Sequence, residues 1–387
     1  MRDSVENLVI GGGLAGSMLA MRLAAAGREV VLLEKEREAH DKVCGEFLSR
    51  EAVHYLRQAG IDPLDLGAHA IQRVRLHSGH RSVIARLPFT ALSLSRRVLD
   101  ETLLAKAQAA GCDVRRGALV DKLEAADSGW SVRIRGGKSM RAHTIFLGTG
   151  KHDLNAWERG GATQSDLVGF KMHWDLPAES TQMLRGVMEL FLFRGGYGGL
   201  ALIENEMANL CLVVRRRILR AHGGWDDLFE SMQNELSVLR ACLHGAIPRW
   251  HKPLAISPIP YGHLGGPADG IWRLGDQVAV IPSFTGDGMS IALHSAVLAA
   301  DMYLAGKNAD DYTRCVVQQL RGGMHVATAL SRSIVTSGAR IIAPLLLSMI
   351  PDAMGRIALS TRIPEGALLT SRVIRSAPFN QQPASTI

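Results

Sequence analysis

Residues Asn7–Gly16 read N-L-V-I-G-G-G-L-A-G, an apolar run that passes straight into G-x-G-x-x-G at Gly11, Gly13 and Gly16. Helix-forming residues follow from Ser17 to Ala26, then Gly27, then a second apolar run, Glu29–Leu33, closed by Glu34. Strand, glycine turn, helix and strand together make a complete βαβ unit. The glycines let the backbone turn tightly and come close to a pyrophosphate, whose charge rests on the helix N-terminus. Glu34 stands 23 residues after Gly11, where a carboxylate accepts hydrogen bonds from ribose hydroxyls. The N-terminal part therefore reads as dinucleotide-binding, with Gly11, Gly13, Gly16, Glu34 and the adjoining Lys35 as candidate contacts.

Composition narrows the classes around that unit. With 387 residues, 47% hydrophobic and 21% charged, the chain has material for two interleaved domains and a substantial core. The net charge of +7 suits an anionic cofactor or a membrane surface. The basic residues are scattered, and their tightest run, Arg215–Arg217, closes a strand-like segment, so no nucleic-acid reader is indicated. Five cysteines at wide spacing, with no C-x-x-C pair, argue against a disulfide framework and against a zinc site; no metal is expected. The N-terminus shows no signal peptide, which makes the cytoplasm the expected compartment. The apolar stretch Ile341–Ile350, interrupted by Pro344, is too short to span a bilayer. It reads as a buried helix, with an apolar tunnel wall or peripheral membrane contact as the alternatives.

Along the rest of the chain, Arg50–Ala59 reads as a helix, and Arg73–His77 with Ser82–Leu87 as a hairpin around Gly79-His80. Ser95–Ala110 reads as an amphipathic helix, followed by strands near 113–116, 119–123, 130–135 and 142–147. From Leu167 to Val214 four apolar segments separated by turns describe an antiparallel meander, with Trp225–Leu243 as one helix packed on it. A short strand, Ile271–Leu274, ends in Gly275-Asp276, and a glycine-bearing turn opens a helix over Met289–Leu304.

The expected architecture is α/β. A Rossmann-like nucleotide-binding domain, with a parallel sheet, helices and a β-meander, takes residues 1–72, 94–160 and 262–308. An antiparallel-sheet substrate domain takes 73–93 and 161–261. A C-terminal helical region, 309–376, and a flexible tail, 377–387, complete the chain.

A second signal lies about 260 residues on. Arg273–Ile291 reads R-L-G-D-Q-V-A-V-I-P-S-F-T-G-D-G-M-S-I: a strand delivers Asp276, then Pro282, then Gly286 and Gly288 at a helix start. With this segment the chain resembles the FAD-dependent oxidoreductases of the para-hydroxybenzoate-hydroxylase fold. The resemblance implies FAD as cofactor, Asp276 as the contact to the ribityl chain, and Pro282, Gly286, Gly288 and Met289 as neighbours of the isoalloxazine ring. A helix N-terminus aimed at N1 and the C2 carbonyl favours the negative charge of reduced flavin.

Asp41–Ser49, D-K-V-C-G-E-F-L-S, is similar to the C-G-[EG]-x-L-S segment of the geranylgeranyl-reductase-like branch. The resemblance places Cys44 close to the flavin and makes it the candidate catalytic residue. Gly45 reads as the conformationally demanding position beside it. By the same resemblance Arg96, four residues before Asp100, faces the FAD phosphates or the ring entrance, and the Val120 backbone contacts adenine. Two departures matter. Threonine stands at Thr149 where the family carries aspartate, so no contact is carried over there. The paired-tryptophan motif of flavin-dependent tryptophan halogenases is missing from Gly195–Ile203, which argues against halogenation.

The resemblance implies an FAD-dependent oxidoreductase acting on a hydrophobic small molecule. Reduction of a C=C bond and oxygen transfer by an NAD(P)H-dependent monooxygenase both remain open, with NAD(P)H as a transient electron donor. His152, His173, Tyr197 and His294 are unranked candidates for a proton donor. A flavin carrier without turnover is the reading from another class.

Overall fold

The computed structural model describes residues 4–336 and 353–369. The chain begins β1 (Ser4–Ile10), α1 (Leu14–Ala25), β2 (Val30–Glu34), β3 (Phe47–Leu48), α2 (Arg50–Gln58), β4 (His69–Ser78) and β5 (Arg81–Ser93). It continues through α3 (Arg96–Ala109), β6 (Asp113–Arg116), β7 (Val120–Ala126), β8 (Gly129–Ile134), β9 (Lys138–Leu147), β10 (Leu167–Asp175) and α4 (Ala178–Leu184). Next come β11 (Val187–Phe193), β12 (Gly196–Leu202), β13 (Met207–Arg215), α5 (Arg216–Ala221), α6 (Trp225–Glu235) and α7 (Ser237–Cys242). The last elements are β14 (Ile247–Pro248), β15 (Leu254–Ile256), β16 (Ile271–Arg273), α8 (Gly288–Leu304), α9 (Ala309–Ile334) and α10 (Ala353–Ser360).

The first sheet runs β6-β2-β1-β9-β8-β7, with β16 also on β9. Its centre is parallel: β1 lies between β2 and β9 in register Ile10↔Leu33 and Ile10↔Leu147. Strands covered on both faces must be apolar along their length, which is why Leu8–Ile10 and Val30–Leu33 are uninterrupted. The α1, α3 and α8 side chains cover one face with Leu19, Leu23, Leu103 and Leu293. The meander β7-β8-β9 is antiparallel at its outer part.

The second sheet runs β14-β10-β13-β12-β11-β4-β5-β3, with β15 also on β10. Most neighbours are antiparallel, but β4 and β11 are parallel, Arg73↔Val187 to Ser78↔Leu192. Side chains alternate between its faces. On β10, Phe170, Met172 and Trp174 pack on α6 and α7, whereas Leu167 joins Val213, Tyr261 and Val280 on the face toward the first sheet. The sequence reads 225–243 as one helix; it breaks at Leu236, φ −116° and ψ 87°, so that two short helices follow the sheet's surface.

The β4–β5 hairpin carries a large bulge. Arg73 pairs with Arg86 and Ile71 with Ala91, so Leu87–Thr90 oppose Gln72 alone. Pro88, which has no N–H to give a ladder, sits in this bulge. The stretch Ile341–Ile350 lies outside the described residues, as does the tail 377–387. No helix among the described residues is long and apolar enough to cross a membrane.

Candidate active site

A cleft of about 500 Å³ lies between the two sheets and takes its wall from both βαβ turn and second sheet. At its first bend Gly11 has φ +106°, and a Cβ there would stand 2.5 Å from the Gly148 carbonyl oxygen. The turn is thus pressed against the end of β9, and only glycine fits. Gly16 does not line the cleft. Its Cβ would fall 1.9 Å from the Gly11 oxygen, so this glycine lets α1 pack onto the turn. Gly13 is the open one: the nearest atoms to a Cβ would be Arg96 Nη2 at 3.5 Å and Lys42 Nζ at 3.6 Å. No side chain caps α1, so its first N–H groups and two cations face one place in the cleft.

Glu34 is buried at the cleft's far end, where Lys35 and Val120 also line the wall. Its Oε2 accepts the Gly12 N–H at 2.7 Å and its Oε1 the Glu36 N–H at 3.0 Å, which fixes the carboxylate for a diol. Arg96 binds Asp100 through two bonds of 2.8 and 2.9 Å, and Lys42 reaches the same carboxylate at 2.7 Å. Burial alone lifts the Asp100 carboxyl, but Arg96 and Lys42 outweigh it and hold it below the usual range. Burial likewise weakens the Arg96 cation, and Asp100 with the Cys44 sulfur more than restores it. Lys42 carries no motif, so nothing in the sequence singled it out.

Toward the opposite end, Asp276 lines the wall and receives Lys151 Nζ at 3.0 Å. Burial lowers the Lys151 pKa, Asp276 more than offsets that, and the net shift is upward. The Gly148–Asp153 stretch, with its atypical Thr149, lines the cleft, and Lys151 is a partner that sequence reasoning missed. Gly286 takes φ +72° with its Cβ position 2.4 Å from Phe47 Cδ1, while Gly288 faces open space. Gly286, Gly288 and Met289 line the wall; Pro282 does not, but it accepts the Thr285 N–H and shapes the turn. No side chain caps α8, which leaves its N-terminal donors for a ligand.

Cys44 and Gly45 also line this end. The strained residue is Glu46, φ +56°, not Gly45, whose φ is not in the left-handed region. Glu46 is wholly buried, and its carboxylate holds it there. It accepts from the Arg96 N–H at 2.8 Å, from His173 Nε2 at 2.8 Å and from Lys171 Nζ. Lys171 Nζ also lies 3.3 Å from Asp41 Oδ1, so an ammonium fills the place where these acids and His173 could hold a metal. The bent segment in turn gives Cys44 Sγ a donor, the Glu46 N–H at 3.3 Å.

The four candidate proton donors part company. His152 lines the cleft, and burial followed by Lys35 and Arg159 lowers its pKa. His173 is tied into the Glu46 cluster, and His294 lies behind α2, bonded to Tyr55 and Gln319 at 2.7 Å each. Tyr197 bonds Ser283 at 3.1 Å, and Tyr261, which the sequence did not single out, bonds the same hydroxyl at 2.7 Å. Only Tyr261 and Ser283 of this trio reach the cleft wall. Beyond them the wall is apolar: Val43, Val213, Leu254, Ile256 and Ile259.

A cleft that begins at a diol-binding carboxylate, passes a helix N-terminus with two cations, and ends at a second helix N-terminus fits FAD. Residues 4–146 match the family model described as FAD binding domain. Over 329 residues the chain is 26% identical to digeranylgeranylglycerophospholipid reductase 2 of Methanopyrus kandleri, covering 79% of this chain and 78% of that protein. It is 23% identical over 329 residues to the menaquinone reductase of Mycolicibacterium smegmatis, with the same coverage. The flavin-dependent brominase Bmp2 superposes with a TM-score of 0.74 at 16% identity, over 95% of this chain and 96% of that one, which is a likeness of fold. The cleft, the domain match and the two relatives agree: the chain is an FAD-dependent oxidoreductase of the para-hydroxybenzoate-hydroxylase-like fold.

Proposed function

We propose that the enzyme saturates a carbon–carbon double bond in an apolar, prenyl-bearing small molecule, with NAD(P)H as the source of electrons. The observation that carries this reading is that Cys44 lines the same cleft as Asp276, Gly288 and the apolar side chains Val43, Ile256 and Ile259. The two relatives support it, since both are reductases by name and one is named for a prenyl phospholipid.

FAD, when bound, supplies the hydride. The chain's residues do the rest. Glu34 holds the ribose, and the α1 N-terminus with Arg96 and Lys42 holds the pyrophosphate. Asp276, oriented by Lys151, takes the ribityl hydroxyls. The α8 N-terminus favours negative charge on the ring edge. Val43, Ile256 and Ile259 close the substrate side: a Cβ on Gly169 would meet all three between 3.0 and 3.3 Å, so this floor excludes water. The Tyr261 and Ser283 hydroxyls carry protons at the cleft wall, and burial favours the protonated form of Tyr261.

The test is anaerobic. FAD-loaded protein is bleached with NADPH or NADH, then mixed with a digeranylgeranylglycerol phospholipid or with menaquinone. Return of flavin absorbance, with a product whose isoprenoid chain is heavier by one H2 per saturated bond, is the expected result. Substrate that reacts only in air and gains oxygen from O2 refutes the reading in favour of monooxygenation. Flavin that no donor bleaches refutes it in favour of a carrier.

A further inference from the structure

The turn that faces the flavin ring is fastened from behind by the C-terminal segment. Asp287 lies between Gly286 and Gly288, yet it is 1% exposed and does not line the cleft. Thr361 Oγ1 donates to its Oδ2 at 3.0 Å, and Arg362 Nη1 donates to its Oδ1. Arg362 Nη2 also donates to the Thr285 carbonyl at 3.2 Å, so one guanidinium ties both the side chain and the backbone of the turn. Its own place is fixed: the guanidinium carbon lies 4.6 Å from the centre of the Phe89 ring, in the bulge of β5. Among the described residues, the other acidic side chain facing this pair is Glu51, whose Oε2 lies 3.9 Å from Arg362 Nη1, while Arg50 covers its Oε1 at 2.7 Å.

Acidic side chains are seldom wholly buried, yet Asp287 and Glu51 are enclosed with Arg362 behind the α8 N-terminus, and none of the three lines the cleft. We propose that Asp287 and Arg362 are positioning residues that set the charge behind the flavin-facing turn, so that the C-terminal segment governs how readily bound FAD is reduced. The reasoning is electrostatic: reduction adds negative charge to the ring edge, and a fixed charge in a water-poor setting acts on it more strongly than it would in water. Asp287 opposes that charge, Arg362 favours it, and their pairing brings the two near balance. The proposal rests on the seat of FAD and not on which reaction follows.

The experiment measures the reduction potential of FAD-loaded protein against an indicator dye at pH 8. Asp287→Asn keeps the size of the side chain and one acceptor oxygen for Arg362, turns its other end into a donor toward the Thr361 hydroxyl, and leaves the arginine charge unopposed. Its equilibrium constant for reduction is expected to rise about tenfold, equivalent to about 30 mV for this two-electron couple. The double variant Asp287→Asn/Arg362→Met is expected to return to within about threefold of the wild type. Arg362→Met alone, measured at pH 9, is the second arm and is expected to fall about tenfold, which keeps the proposal testable where Asp287→Asn does not fold. Potentials that stay within about twofold of the wild type, with FAD retained, overturn the proposal and make the pair a mechanical clasp only. Wild-type protein that takes up no FAD overturns the cofactor assignment and this proposal together, so the two failures are distinguishable.

Discussion

Replacing Lys171 with methionine keeps the volume of the stem and removes the ammonium from the centre of the Asp41–Glu46–His173 cluster. Lys171 and Glu46 have no exposed side-chain surface, whereas Asp41 keeps 13%. The Glu46 carboxylate retains two donors, His173 Nε2 and the Arg96 N–H, both at 2.8 Å, but loses its lysine partner. Breaking a buried pair in this way costs about 3–5 kcal/mol. The two surviving hydrogen bonds place the expected loss near the lower end, about 3 kcal/mol. Urea unfolding followed by tryptophan fluorescence measures it, with FAD-free protein so that cofactor binding does not contribute. Adding Glu46→Gln to the Lys171→Met background removes the orphaned charge and is expected to recover about 1 kcal/mol or more, a coupling that a double-mutant cycle isolates. A single variant within about 0.5 kcal/mol of the wild type, or strictly additive losses, refutes the reasoning. The cluster also holds Glu46 at φ +56°, so Lys171→Met is expected to weaken FAD retention by loosening the segment that carries Cys44.

Gly11→Ala forces a side chain into φ +106° and to 2.5 Å from a carbonyl oxygen, a strain of about 1–3 kcal/mol. FAD affinity should fall about tenfold or more, read as flavin absorbance retained through gel filtration; unchanged retention removes Gly11 from the cofactor seat. Cys44→Ala is expected to keep FAD and lose about tenfold or more of turnover; if both survive, the cysteine is structural. The Asp287 carboxyl is raised by burial to about 7 from 3.8. Between those values the folded state keeps a proton that the unfolded chain has shed. The contribution is therefore fully present below pH 3.8 and is lost as pH rises to about 7. Its slope reaches at most about 1.4 kcal/mol per pH unit, and Asp287→Asn should flatten the stability curve in that window. Parallel curves for the two proteins refute the shift.

What the sequence displays is what the backbone must do at short range. Gly11, Gly13 and Glu34 are legible because a βαβ turn needs glycine at a fixed spacing, and β1 and β2 because strands covered on both faces must be apolar. Strands β11 to β13 are legible as a meander from their apolar segments and intervening turns, whereas β10, which the sequence places first in it, pairs with β13 instead of β11. What stayed hidden depends on partners far along the chain. Lys171 carries no signal of its own, and His173 is one of four unranked proton-donor candidates, until Glu46, about 125 residues earlier, is seen to meet them both. Thr361 and Arg362 lie 74 and 75 residues beyond Asp287 and share no motif with it. Gly45 drew attention as a glycine, but the left-handed backbone falls on Glu46, whose carboxylate has enough partners to hold it. The bulge at Leu87–Thr90 is invisible without the register of β4.

The parallel seam between β4 and β11 joins two stretches of chain separated by more than 100 residues, and α3 with β6 to β9 is spelled out between them. A ribosome making this protein therefore completes much of the nucleotide-holding sheet before the partner of β4 exists. Until residue 187 emerges, one rim of the hairpin carries unpaired amides, an invitation to adhere to neighbouring chains. For the same reason no single cut divides the polypeptide into two self-sufficient halves. Dissecting this enzyme by truncation is expected to yield aggregates, whereas rejoining its ends and opening a surface turn keeps the seam intact.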